Sequence, residues 1–236
     1  MHDITIYFIE FLSGSPADNG GYPIKHIVGM SDKMMQVFEP YAGVPLIGIL
    51  SVLLRPRSRG QIRLRSTDPF DSPSIDPQFF ADDYDLDVLV EGMKMSLKVG
   101  QTPPMQAYGA TPIQERYPGC DQTEIYSDGY LRCMAQTFTT HSYHPMGTCK
   151  MGQTSDETSV VDLNLRVKGV TGLRVVDASV IPSPVSGNTN LPVVAIAEKI
   201  ADQMKGRRIK PLLPPMDAST IAKLPDLPFE NFDKSI

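Results

Sequence analysis

Leu173-Arg174-Val175-Val176-Asp177, the loop Ile181 to Asn190 and the run Leu191-Pro192-Val193-Val194-Ala195-Ile196-Ala197-Glu198-Lys199-Ile200 form the stretch on which the fold turns. Leu173 to Val176 is a short apolar run ending in an acidic residue, which reads as a buried strand. Ile181 to Asn190 carries Pro, Ser, Gly and Asn and reads as a loop. The next segment reads as a helix with Asn190 as N-cap and Pro192 in the first turn. Val193, Ile196, Ala197 and Ile200 would face inward, and Gly206 would stop it. Strand, acidic residue, Gly-containing loop and helix follow one another in this order at the ligand crevices of α/β sheets.

Upstream, Leu86, Leu89, Val90, Met93 and Leu97 recur at helical spacing over Asp83 to Gly100, behind Asp83 or Asp85 as N-cap. A second helix follows Ser127 as N-cap, with Tyr130, Leu131, Met134 and Phe138 on one face, and it delivers the chain into His141-Ser142-Tyr143-His144. Ile4 to Ile9, Leu46 to Leu54 and the alternating Gly60 to Arg65 read as strands of a sheet with one solvated face. A chain opening inside a strand reads as a piece of something longer. Ser13 to Tyr22 has loop composition, and from Arg207 onward Pro211, Pro214, Pro215, Pro225 and Pro228 indicate an extended tail.

Composition narrows the function classes. A net charge of −5 provides no basic footprint for nucleic-acid phosphates, so the expected partner is a small molecule. The 21 prolines in 236 residues, nearly twice the ordinary share, predict many turns and long connections. No stretch has the roughly 18 consecutive apolar residues of a membrane span, and Met1 to Leu12 lacks the basic start and cleavage region of a signal peptide. Cys120, Cys133 and Cys149 form no CxxC pair, so neither a disulfide framework nor a zinc ribbon is signalled.

The densest chemical cluster is His144-Pro145-Met146-Gly147-Thr148-Cys149. Pro145 forbids a regular helix after His144, and Gly147 permits an unusual turn. A histidine held on such a loop suits acid/base work near neutral pH, although by residue type alone a loop histidine is more often a structural hydrogen-bonder. Cys133, His141, His144 and Cys149 match no common zinc spacing, so no metal is expected. Ser186 lacks the GxSxG elbow of a serine hydrolase. Ser186 to Pro192 lies at a helix start, where either an anion or plain capping accounts for the residues.

Taken in order, His144 to Gly152 (HPMGTCKMG), Val161-Asp162, Leu173 to Pro182 (LRVVDASVIP), Ser186 to Pro192 (SGNTNLP) and Ala197-Glu198-Lys199 form a set. That set resembles the C-terminal signature of the glucose-methanol-choline oxidoreductases, in particular their insect glucose dehydrogenase-like branch. Leu54 to Gly60 (LRPRSRG), Asp68-Pro69-Phe70 and Ile75-Asp76-Pro77 extend the resemblance upstream. It is strong from about residue 46 to 206, weaker before that and absent in the tail.

The resemblance implies an α+β chain in two parts. Residues 1–150 would be an antiparallel-sheet domain with helices that covers the substrate. Residues 151–206 would be the last strand and helix of an α/β FAD-binding domain, and 207–236 an extended tail. In this family an N-terminal GxGxxG unit holds the FAD pyrophosphate, and no such motif occurs here, so the N-terminal FAD-binding half is the implied missing partner. By similarity, His144 takes the alcohol proton while hydride passes from carbon to flavin N5, and Asn188 is the second polar group beside the substrate oxygen. Asp177, Ala178, Asn190 and Pro192 match positions that line FAD. The implied substrate is an alcohol or sugar, with a quinone or oxygen as electron acceptor. The alternative is a truncated, non-catalytic paralogue with a binding or structural role.

Overall fold

In the computed structural model, which describes residues 4–11, 31–41, 44 and 46–207, the elements run in the order β1 (Ile4–Phe11), α1 (Asp32–Met35), a 3-10 helix (Gln36–Tyr41), β2 (Leu46–Leu53), β3 (Gln61–Arg63), β4 (Ser74–Asp76), α2 (Asp83–Gly100), α3 (Pro103–Ala107), α4 (Asp128–Phe138), a 3-10 turn (Ala178–Val180) and α5 (Asn190–Met204). The expected loop Ser13 to Tyr22 and the tail beyond Arg207 lie outside the described residues.

Among the described residues the strands form two separate two-stranded sheets. β1 pairs antiparallel with β2, from Ile4 opposite Leu53 to Phe11 opposite Leu46. β3 pairs antiparallel with β4, with Ile62 opposite Ile75. The expected strand Gly60 to Arg65 is only three residues long and exposed throughout, because among the described residues no further strand pairs with this short hairpin.

Helix α2 carries the stripe its spacing predicts: Leu86, Leu89 and Val90 are buried, and Met93 and Leu97 pack against the same cluster. Its N-cap is Asp82 rather than Asp83 or Asp85; the Asp82 side chain accepts the Tyr84 backbone N–H. Helix α4 starts as expected, with the Ser127 side chain accepting the Tyr130 N–H. α2 packs on β2 and α4, and Ser51 Oγ and Ser96 Oγ join β2 to α2 at 2.9 Å.

Two buried clusters result among the described residues. The first gathers Val37, Leu86, Leu89, Val90, Tyr117, Cys120, Tyr130, Leu131 and Ala135. The Tyr130 hydroxyl accepts the Tyr117 N–H at 3.1 Å, so the loop before α4 lies along its buried face. That return brings Cys120 and Cys133 together as a disulfide that the cysteine spacing did not signal: a separation of 13 residues has no motif, and only the packed loop closes it. Cys133 is thereby unavailable to the metal set weighed for Cys133, His141, His144 and Cys149.

The second cluster is built from Val161, Leu165, Val180 and Ile200, with Met151, Val175, Val176 and Ile196 packed against it. Here the strand expected at Leu173 to Asp177 does not form; Arg174 makes one isolated bridge to Arg166. A strand needs a ladder partner, and among the described residues no parallel neighbour lies beside Val175 and Val176. Helix α5 begins at Asn190 with Thr189, not Asn190, as N-cap. Ile200 is buried and Ile196 half-buried as expected, whereas Ala197 is exposed. Gly206 ends the segment in the left-handed region at φ 67°.

Candidate functional site

The approach to His144 is set by α4 and a sharp bend. α4 ends at Phe138, and Tyr143 then takes a left-handed backbone at φ 57°. A non-glycine residue there needs support. His141 supplies it: its Nδ1 accepts the Tyr143 N–H at 3.0 Å, and its ring meets the Tyr143 ring edge-on at 4.6 Å. His141 is therefore engaged in holding the bend, and His144 follows it half-buried. Gly147 adopts φ 87°, the backbone that its lack of a Cβ allows.

From there the chain is stitched to the segment that begins at Asp177. The Cys149 N–H donates to the Ser179 carbonyl at 3.0 Å, and the Met151 N–H donates to the Val180 carbonyl at 2.8 Å. Gly152 is required by close approach, since a Cβ there would stand 2.6 Å from Asp156 Oδ2. Gly147 thus has a backbone reason and Gly152 a steric one. Cys149 is half-buried with a free thiol. Asp162 accepts the N–H groups of Arg166 and Asn164, and the Arg166 bond in particular holds its carboxyl below the usual carboxylate range. Its role is to close a loop.

Asp177 uses its carboxylate to cap the turn Ala178–Val180, accepting the Ser179 N–H at 2.8 Å. Asp177 and Ala178 therefore stand at the junction that anchors the His144 loop. Asn188 lies eight residues beyond Val180 on an exposed loop, Asn190 is exposed and Pro192 half-buried. Thr189 caps α5 without a side-chain hydrogen bond, so the chain's own cap residue does not meet the leading amides of that helix. An open groove of about 480 Å³ lined by Gln153, Thr154, Ser155, Asp162, Leu163 and Asn164 includes none of these residues.

Two features escaped the sequence reading. Asp85, read as a cap, is 1 % exposed, and its carboxylate accepts the backbone N–H groups of Arg57 at 2.7 Å and Ser58 at 2.9 Å. Its signal was present: Asp85, Leu89, Gly92 and Ser96 share one helical face, and all four are buried. Arg55 Nε donates to Ser186 Oγ at 2.8 Å across 131 residues, a link with no local signature.

No metal-competent group of His, Cys, Asp and Glu occurs among the described residues, and no described helix is long and apolar enough to cross a membrane.

Residues 56–197 match the profile of the GMC oxidoreductase family. The chain is 42% identical over 205 residues to the glucose dehydrogenase [FAD, quinone] of Drosophila pseudoobscura pseudoobscura, covering 87% of this chain and 30% of that protein. It is 42% identical over 155 residues to the choline oxidase of Arthrobacter globiformis, covering 64% of this chain and 27% of that protein. Among solved structures, pyridoxine 4-oxidase from Mesorbium loti superposes with a TM-score of 0.58 at 30% identity, covering 72% of this chain and 31% of that one. A fungal aryl-alcohol oxidase gives 0.54 at 31% identity, with 65% and 24% covered. The chain thus spans about 30% of the length of the first of these relatives, and on its profile and its identity to them it belongs to the GMC oxidoreductase family.

Proposed function

We propose that this chain is the C-terminal part of an FAD-dependent oxidoreductase that converts CH–OH to C=O, with His144 as the base and Asn188 orienting the substrate oxygen. The observation that carries the reading is the pair of hydrogen bonds from Cys149 and Met151 to Ser179 and Val180. They tie the histidine loop to the segment that leads into Asn188 and α5. Residues 1–150 form the substrate-covering domain and 151–206 the returning part of the FAD domain, a division supported by the two separate buried clusters.

The residues present fit the flavin end of the cofactor. The helix start at Asn190, uncapped by the Thr189 side chain, favours partial negative charge, and Ala178 and Pro192 are uncharged and half-buried. The acidic Asp177 is already committed to its turn and contributes by holding Ala178. When bound, FAD supplies the acceptor for the hydride leaving the alcohol carbon. In its neutral form His144 accepts the hydroxyl proton on an imidazole nitrogen as that carbon–hydrogen bond breaks and the C=O bond forms. Asn188 donates to the same oxygen and limits its orientation. The imidazolium then returns its proton to solvent.

An alcohol or sugar is the substrate class, and a quinone or oxygen takes the electrons onward, a reading supported by the similarity to a glucose dehydrogenase [FAD, quinone] and to a choline oxidase. The test is anaerobic flavin spectroscopy on the full-length protein. Bleaching of the visible flavin band by an alcohol supports the reading, and a band indifferent to a panel of sugars, choline and aryl alcohols would favour a non-catalytic paralogue.

A further inference from the structure

The buried Asp85 carboxylate and the loop it holds have no part in the proton or hydride step. Asp85 binds the N–H groups of Arg57 and Ser58, Ser58 Oγ accepts the Asp82 N–H at 3.1 Å, and the Arg57 guanidinium lies 3.5 Å over the Tyr84 ring. Four contacts thus fasten residues 57 and 58 to the start of α2. Arg55 extends from this fastened segment, and its Nε donates to Ser186 Oγ at 2.8 Å. Ser186 stands two residues before Asn188, in a loop whose next helix starts without a side-chain cap bond.

We propose that Arg55 is a positioning residue: seated on the Asp85-held platform, it holds the Ser186 to Thr189 loop so that Asn188 meets the substrate oxygen. This rests on the proposed role of Asn188. A guanidinium suits the task because its fork is planar and permanently charged, so the hold does not vary across neutral pH. The hydrogen bond joins the substrate-covering part to the returning segment, which makes it sensitive to how the two are docked.

The test uses the full-length, flavin-loaded protein with Arg55→Ala, Arg55→Lys, Asn188→Ala and the double variant Arg55→Ala/Asn188→Ala. Amide hydrogen exchange over residues 186–189 is expected to rise about three- to tenfold in Arg55→Ala, with α2 unchanged. Flavin reduction is expected to slow about tenfold through kcat rather than KM, and Arg55→Lys to recover part of it. The double variant should be no slower than Asn188→Ala, since both changes disable one device. Unchanged exchange over 186–189 overturns the tether, and additive losses in the double variant overturn its action through Asn188. If no alcohol reduces the wild-type flavin, the proposed function and the positioning role fall together; the exchange result then reports on the tether alone.

Discussion

The carboxylate of Asp85 accepts the backbone N–H of Arg57 at 2.7 Å while only 1 % exposed, so a helix side chain replaces a strand neighbour as acceptor for the loop that follows β2. Truncating it leaves two backbone donors without their partner. Asp85→Ala is expected to destabilise the fold by about 2–4 kcal/mol, and Asp85→Asn by less because one acceptor oxygen remains. Urea midpoints read this directly, and an unmoved midpoint in Asp85→Ala would show that water replaces the carboxylate freely.

His144→Ala in the full-length, flavin-loaded protein should slow alcohol-dependent flavin reduction by roughly 10²–10⁴, or about 3–5 kcal/mol, with flavin content unchanged. Asn188→Ala should be milder if it only orients the oxygen. An unaltered reduction rate in His144→Ala removes it as the base, and a larger loss at Asn188 reverses the two roles.

The disulfide between Cys120 and Cys133 closes a loop of 13 residues across the buried face of α4. Breaking it with Cys133→Ser should cost about 3 kcal/mol on the chain-entropy scale for a loop of this size. Mass spectrometry after alkylation should find Cys149 as the thiol labelled before reduction and all three labelled after. Labelling of Cys120 without reductant would contradict the pairing.

Burial pushes the Tyr126 hydroxyl from its ordinary 10.0 up to about 12, and burial raises Tyr117 as well. The charged form of tyrosine is the deprotonated one, so the unfolded chain ionises first and its contribution to stability is present below pH 10.0. That contribution is lost as pH rises from about 10 towards about 12. Tyrosinate absorbance near 295 nm should lag behind that of free tyrosine in this window. Tyr126→Phe should flatten the alkaline loss of stability, and an identical pH profile would remove Tyr126 as its source.

The purified 236-residue chain should bind FAD no tighter than about 1 µM to 1 mM and show no turnover, because it contains no GxGxxG turn for the pyrophosphate. Val175 and Val176 also lie beside no parallel strand among the described residues, and Leu191 is 78% exposed and Val194 50% exposed on α5. Apolar surface of this kind favours association. Fluorescence titration is the check, with nanomolar binding and alcohol-dependent bleaching as the contrary result.

Chain order alone revealed the features that depend on local periodicity and capping. Leu86, Leu89 and Val90 announce α2, Ser127 announces α4, and the ordered segments from His144 to Lys199 announce the family. The two helices rest on residues within a turn or two of one another, where 3.6-residue spacing and side-chain-to-backbone capping act, whereas the family rests on the order of its motifs along the chain. Pairing across long separations was not legible. Asp85 looked like a helix-end carboxylate until the loop at Arg57 and Ser58 was folded onto it, and Cys120 met Cys133 only because Tyr130 draws the preceding loop over α4. The strand expected at Leu173 to Val176 failed for the converse reason: β-branched residues favour extended backbone, but a ladder exists only where a second chain segment supplies its hydrogen bonds. Arg55 and Ser186, 131 residues apart, carry no shared local pattern, and only their packing makes them a pair.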